Sequence, residues 1–168
     1  MIVSLNDFST GKYEVHRGMY TDPGLQDYID KYEKKYLVQL LGADLYGEFM
    51  ADINLGGGIP TEQRFTDIFD PFEIDYNLEI IYSEGMKEML IGFIYFEYVK
   101  DLTNQITSIG NVVPKGENSE NPKTLYSMMY NRYNEACKTY KSVQKRICVN
   151  RSDYSGYNGK TKSFVYWL

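Results

Sequence analysis

Met89-Leu90-Ile91-Gly92-Phe93-Ile94-Tyr95-Phe96 is the stretch on which the fold turns. It is apolar nearly all round the helical repeat, so a helix here has no solvent face. Such a helix belongs in the middle of a domain or of an oligomer. The run is far shorter than the roughly 20 residues needed to span a bilayer. Lys87, Glu88 and Glu97 flank it. The pattern therefore predicts a buried core helix, over about residues 78–108. Gly85 and Gly92 each weaken that helix by about 1 kcal/mol relative to Ala, and are expected where another helix comes close.

Toward the N-terminus, Thr21-Asp22-Pro23 is a helix start, with Asp22 as N-cap and Pro23 at the first helical position. Leu25, Tyr28, Ile29, Tyr32, Tyr36, Leu37 and Leu40 then recur at spacings of three and four, predicting a helix over 22–41. Gly42 reads as its C-terminal glycine. A shorter helix over 43–53 buries Leu45 and Phe49. Leu55-Gly56-Gly57-Gly58-Ile59-Pro60 breaks the chain. It has no preceding strand and no following Lys-Ser/Thr, so it is a plain loop and not a phosphate-binding one. Thr61 as N-cap opens a short helix over 61–69, stopped by Asp70-Pro71. Residues 72–78 are a connection. Residues 1–21 read as irregular or strand-like.

Toward the C-terminus, residues 110–121 form a polar connection longer than is usual between bundle helices. Asn121-Pro122 opens a last helix to about residue 150, with Leu125, Met128, Met129, Tyr133, Cys137, Tyr140, Val143 and Ile147 as its stripe. At about 1.5 Å per residue it is about 43 Å long, more than the about 40 Å diameter of a compact chain of this size. The expected fold is all-α: an elongated helical bundle with an irregular N-terminal segment, a long inter-helix loop and an extended C-terminal tail. Residues 1–150 form one helical domain. Residues 151–168 form a docking tail, whose apolar end Phe164, Val165, Tyr166, Trp167 and Leu168 packs on its own domain or on a neighbouring subunit.

Charge is divided along the chain. Residues 1–109 hold 19 acidic and 8 basic side chains, and residues 110–168 hold 4 and 10, within a net charge of −5. The acidic part disfavours a general nucleic-acid coat and suits charge-complementary packing between copies. Tyrosine is abundant, at 17 residues. Its apolar body and polar tip suit half-buried and interface positions.

No catalytic, cofactor or metal set is legible. His16 is the single histidine, which leaves no Cys/His cluster and only one candidate for a Ser-His-Asp arrangement. Carboxylate pairs such as Asp67/Asp70 and Glu84/Glu88 are too common in this chain to mark a site, and read as a solvated acidic face. Cys137 and Cys148 lie about 16 Å apart along one helix, too far to pair. Free thiols fit a reducing cytosol. The first residues lack a basic and then apolar leader, so no secretory signal is expected.

Several phrases carry a family resemblance. They are Tyr36-Leu37-Val38-Gln39-Leu40-Leu41-Gly42-Ala43-Asp44-Leu45-Tyr46 with Phe49, then Gly85-Met86-Lys87 leading into Phe93-Ile94-Tyr95-Phe96-Glu97-Tyr98-Val99-Lys100-Asp101. The loop Asn111-Val112-Val113-Pro114-Lys115-Gly116-Glu117-Asn118-Ser119 follows, and then Tyr130-Asn131-Arg132-Tyr133-Asn134. In size, helix order and phrase, residues 22–150 resemble the head-tail connector (adaptor or neck-ring) proteins of tailed phages, especially crAss-like and other Bacteroidetes-infecting phages.

The resemblance implies a structural virion protein of the neck, made in the host bacterial cytoplasm. It implies a homo-oligomeric ring, commonly of twelve copies, below the portal protein. Such a ring meets other neck or tail proteins and extends the channel through which double-stranded DNA passes without specific binding. No catalytic residues come with it. Acidic side chains facing a channel would let DNA slide, since phosphate binding needs Lys and Arg. Candidates to line it are Asp67, Asp70, Glu73, Asp75 and Glu84. Val112, Val113, Lys115, Glu117 and Asn118 are candidates for inter-subunit contact in the loop, and residues 164–168 for docking on the portal or a neighbour. Two other readings stand beside this one. The first is a nucleic-acid-binding or regulatory module acting through the basic C-terminal third. The second is a small enzyme, which would need a pocket with converging carboxylates.

Overall fold

The computed structural model describes residues 1–15, 22–103, 105–107, 110–112 and 122–165. Among them are five α-helices: α1 (Asp22–Leu41), α2 (Ala43–Leu55), α3 (Gln63–Phe69), α4 (Met86–Thr103) and α5 (Pro122–Val149). Four short strands lie between helices: β1 (Phe72–Tyr76), β2 (Glu79–Ser83), β3 (Gln105–Thr107) and β4 (Gly110–Val112). β1 pairs antiparallel with β2, and β3 with β4. The all-α expectation is therefore corrected to a mostly helical fold carrying two β-hairpins.

The first hairpin occupies residues read as a connection and as the start of the central helix. Phe72-Glu73-Ile74-Asp75-Tyr76 alternates apolar and acidic residues, which is the two-residue repeat of a strand. Asn77 and Leu78 turn the chain with φ of +50° and +66°, the left-handed pair that a tight two-residue hairpin requires. Glu73 faces Tyr82, and Asp75 faces Ile80. The central helix is accordingly shorter than expected. Gly85, at φ +94°, lies before α4 and not within it. The second hairpin takes the other end of that expected helix, Gln105 pairing with Val112 and Thr107 with Gly110.

α4 is the centre of the core, packed between α5 and α1. Leu90, Phe93 and Ile94 are fully buried. A Cβ built on Gly92 would sit 3.0 Å from the Ala136 Cβ, so the glycine lets α4 and α5 approach. The α1 stripe of Ile29, Tyr36, Leu37 and Leu40 is buried as expected. Phe93 stacks on Tyr36 with ring centres 4.4 Å apart and meets Tyr133 edge-on at 5.3 Å.

Two buried carboxylates hold irregular backbone in place. Glu33 on α1 accepts the N–H groups of Ile2 and Val3 at 3.0 and 2.8 Å. That clasp precedes two 3-10 turns, Leu5–Phe8 and Gly11–Tyr13, where strand was one expectation. Asp52 on α2 accepts the hydroxyl of Thr61 and the N–H groups of Thr61 and Glu62. Thr61 is thereby committed to Asp52, and α3 starts at Gln63 with Glu62 as its N-cap. The triple-glycine loop is closed by these bonds and by Gly58 N–H donating to the Ile53 carbonyl at 2.9 Å.

Candidate interaction surfaces

The β1–β2 hairpin rests one face on the body. Ile81 and Ser83 are buried, the Arg146 guanidinium of α5 lies 4.5 Å from the Phe72 ring centre, and Lys145 pairs with Glu79. Side chains alternate along a strand, so the facing pairs Glu73–Tyr82 and Asp75–Ile80 share the other face. That face is open: Ile80 is 66% exposed and Tyr82 56%. Leu78 at the tip is fully exposed. Large apolar side chains thus lie opposite two carboxylates on one outward surface.

The five acidic channel candidates do not form one group. Glu73 and Asp75 share the open hairpin face. Asp70, beyond the end of α3, and Glu84, before α4, line a groove of about 380 Å³ together with Asp7, Lys87 and Glu88. Glu84 reaches Lys12 at 4.0 Å, and Lys12 also binds Glu88 at 3.6 Å and Glu135 at 2.7 Å. Asp67 points to α5 and pairs with Arg146 at 3.2 Å. Among the described residues no group of three or more His, Cys, Asp or Glu is placed to hold a metal ion.

Of the loop candidates, Val113, Lys115, Glu117 and Asn118 lie outside the described residues, and Val112 is the last residue of β4. Of the tail candidates, Tyr166, Trp167 and Leu168 lie outside them. Phe164 and Val165 are half-buried against the chain's own core.

The rest of the tail is firmly attached. Tyr154 is buried and donates its hydroxyl to the Arg64 carbonyl at 2.6 Å. The strap that follows satisfies carbonyls at the end of α1, which have no partner inside the helix. Asn158 N–H donates to Leu41 at 3.2 Å, and Lys160 N–H to Gln39 at 2.6 Å. The approach is so close that a Cβ on Gly42 would lie 2.9 Å from the Asn158 nitrogen. Gly42 also has φ +84°, which glycine adopts without strain.

Lys162 lies at the heart of this attachment. Its ammonium is 3.9 Å from the ring centre of Tyr36, 4.7 Å from Phe93, 5.6 Å from Tyr140 and 6.0 Å from Tyr133. It donates to the Gln39 side-chain oxygen at 3.2 Å. An aromatic ring attracts a cation over its face, but burial outweighs this and pushes the ammonium pKa down to about 8. Nothing in the sequence marks this enclosure. Tyr36, Tyr133 and Tyr140 stand at regular helix-stripe positions, and Thr161-Lys162-Ser163 has the composition of a solvated segment.

No helix among the described residues is long and apolar enough to cross a membrane. Comparison with known protein families, with curated proteins and with solved structures gives no match.

Proposed function

We propose that this chain is the subunit of a ring-shaped head-tail connector in a tailed-phage particle. In this reading it sits in the virion neck below the portal, joins head to tail and extends the DNA channel. The observation that carries the reading is the open hairpin face, with Leu78, Ile80 and Tyr82 presented beside Glu73 and Asp75. A monomer rarely leaves clustered large apolar side chains in water; such a patch with a polar surround marks a docking surface. A ring contact joins two different surfaces of one chain, and the uneven charge of the two parts of the sequence is suited to it. The resemblance of residues 22–150 supplies the identity of the ring.

The nucleic-acid reading is weakened by how the basic residues are used. Lys145 and Arg146 are paired with Glu79 and Asp67. Lys141 lies 3.6 Å from the Phe164 ring centre, Arg132 lies 4.5 Å from that of Tyr95, and Lys162 is enclosed. Phosphate binding needs these charges free.

The test is composition and position in purified particles. Mass spectrometry should find the chain in tailed particles at a stoichiometry matching a ring, and labelled antibody should mark the neck. Particles that are complete and infectious without the chain would overturn the proposal.

A further inference from the structure

The first hairpin has a free edge. β2 is the strand that packs on α5, and β1 pairs with β2 alone. A two-residue turn makes Tyr76 and Glu79 a hydrogen-bonded pair, and bonded pairs alternate with unbonded ones along an antiparallel ladder. Ile74–Ile81 and Phe72–Ser83 are therefore bonded, while Glu73 and Asp75 turn their main-chain N–H and C=O groups away from β2. Among the described residues no other hydrogen bond reaches those groups. An unpaired edge is a template for one more strand. Side-chain burial agrees with this. Ile81 is buried but Ile74 opposite it is only half-buried, so the inner face of β1 has room for an apolar neighbour on its outer side. On the open face Glu73 and Asp75 are exposed. Neither has an ion pair among the described residues, in contrast to Glu79, which is held by Lys145.

We propose that the outer edge of β1 receives an extended segment of a partner protein, one that carries Lys or Arg at alternate positions with β-branched or other apolar residues between them. Charge decides the occupant. Two copies pairing edge to edge about a two-fold axis set a carboxylate opposite a carboxylate, Glu73 against Asp75 in the register centred on Ile74, and like charges directly opposite are destabilising. A strand with basic residues at those positions brings opposite charges into the same cross-strand places. Its intervening side chains fall on the inner face and continue the surface of Phe72 and Ile74. The acidic edge thus excludes a second copy and admits a basic strand. The ring reading is not needed for this, because the main-chain groups of the edge lie in the plane of the hairpin and the apolar face assigned to the ring lies across it.

The probe is a capped, fluorescent peptide of alternating valine and lysine, titrated by anisotropy into the full-length protein at low salt. It should bind about tenfold more tightly than the same peptide with glutamate in place of lysine, the scale of two cross-strand charge pairs changed in sign. The difference should shrink as salt is added. Glu73→Lys combined with Asp75→Lys should invert the preference. Binding should slow amide exchange at Glu73 and Asp75, whose N–H groups face the edge. Asp75→Pro removes one outward N–H at a position where the ladder needs none. It should weaken binding more than Asp75→Asn, which removes only the charge. If the proline variant loses slow exchange at Ile81, the hairpin itself is disturbed, and protection of the Asp75 amide in the unaltered protein decides alone. Equal binding of the two peptides, binding of neither, or binding without protection at Glu73 and Asp75 overturns the proposal. Ring assembly by a chain that binds no peptide refutes the edge and leaves the ring; peptide binding by a chain that never assembles does the reverse.

Discussion

Tyr36 and Glu97 join the first and fourth helices through a hydrogen bond of 2.7 Å, donated by the phenol to a carboxylate that is 7% exposed. The same Tyr36 ring is a wall of the Lys162 enclosure. Helix packing and tail attachment therefore share one side chain. Burial alone pushes the Glu97 carboxyl up; the bonds from Lys100 and Tyr36 and the charges of Lys100 and Lys35 outweigh it and hold the group below its ordinary range. Tyr36→Phe removes a bond to a charged group and should cost about 1.5–3 kcal/mol in urea unfolding.

Acid sensitivity follows from the same carboxylate. A group with a depressed folded pKa binds fewer protons in the native state than in the unfolded chain. Its stabilisation is present above the ordinary carboxyl value and is lost as pH falls through the folded one. Glu97→Gln should lower stability at neutral pH and flatten the decline as pH falls through and below the ordinary carboxyl value of 4.5. Urea midpoints across that range check the slope.

Lys162 has the opposite charge type but a depressed value too. Between about 8 and its ordinary 10.5, the unfolded chain holds more protons than the native one. Stability from this group therefore grows as pH rises through that window and is absent below it. Lys162→Met should remove the rise, read as urea midpoints from about pH 7 to about pH 9, below the range in which the tyrosines ionise.

Glu33→Ala should release the N-terminal segment while leaving the helical core formed. Two main-chain bonds to a charged acceptor are lost, each worth about 1.5–3 kcal/mol. Amide exchange at Ile2 and Val3 should speed up strongly, with little change at Leu90 or Phe93. Uniform acceleration through the core would mean that the clasp is part of global stability.

The hairpin should be separable from folding. Leu78 and Ile80 are exposed, so Leu78→Asp combined with Ile80→Lys should shift the thermal midpoint little. Assembly into particles should fail, because both changes place charge on the proposed docking face. Normal incorporation of the double variant would remove this face from the interface.

Helix positions were legible because their signals are long. The α1 stripe and the Asp22-Pro23 start predicted the observed bounds, and Asn121-Pro122 the start of α5. The hairpins were not, because Phe72–Tyr76 offers only five residues of alternation and the Asn77-Leu78 turn lacks the glycine that usually marks such turns. Tyr36, Tyr133 and Tyr140 read as core, which they are. That these rings also surround Lys162 depends on a tail contact between residues more than 120 positions apart, as Lys162 and Gln39 are. Glu73 and Asp75 are channel candidates by charge alone, and the strand alternation gives them a common face that charge could not reveal.

The proposed ring closes through two different surfaces of the chain. The most direct measurement is the native mass of the full-length protein over a range of concentrations, with imaging of the largest species. A single closed species of fixed copy number, lost in the Leu78→Asp, Ile80→Lys variant, is the predicted result. A monomer at every concentration, both alone and mixed with purified portal rings, would contradict it.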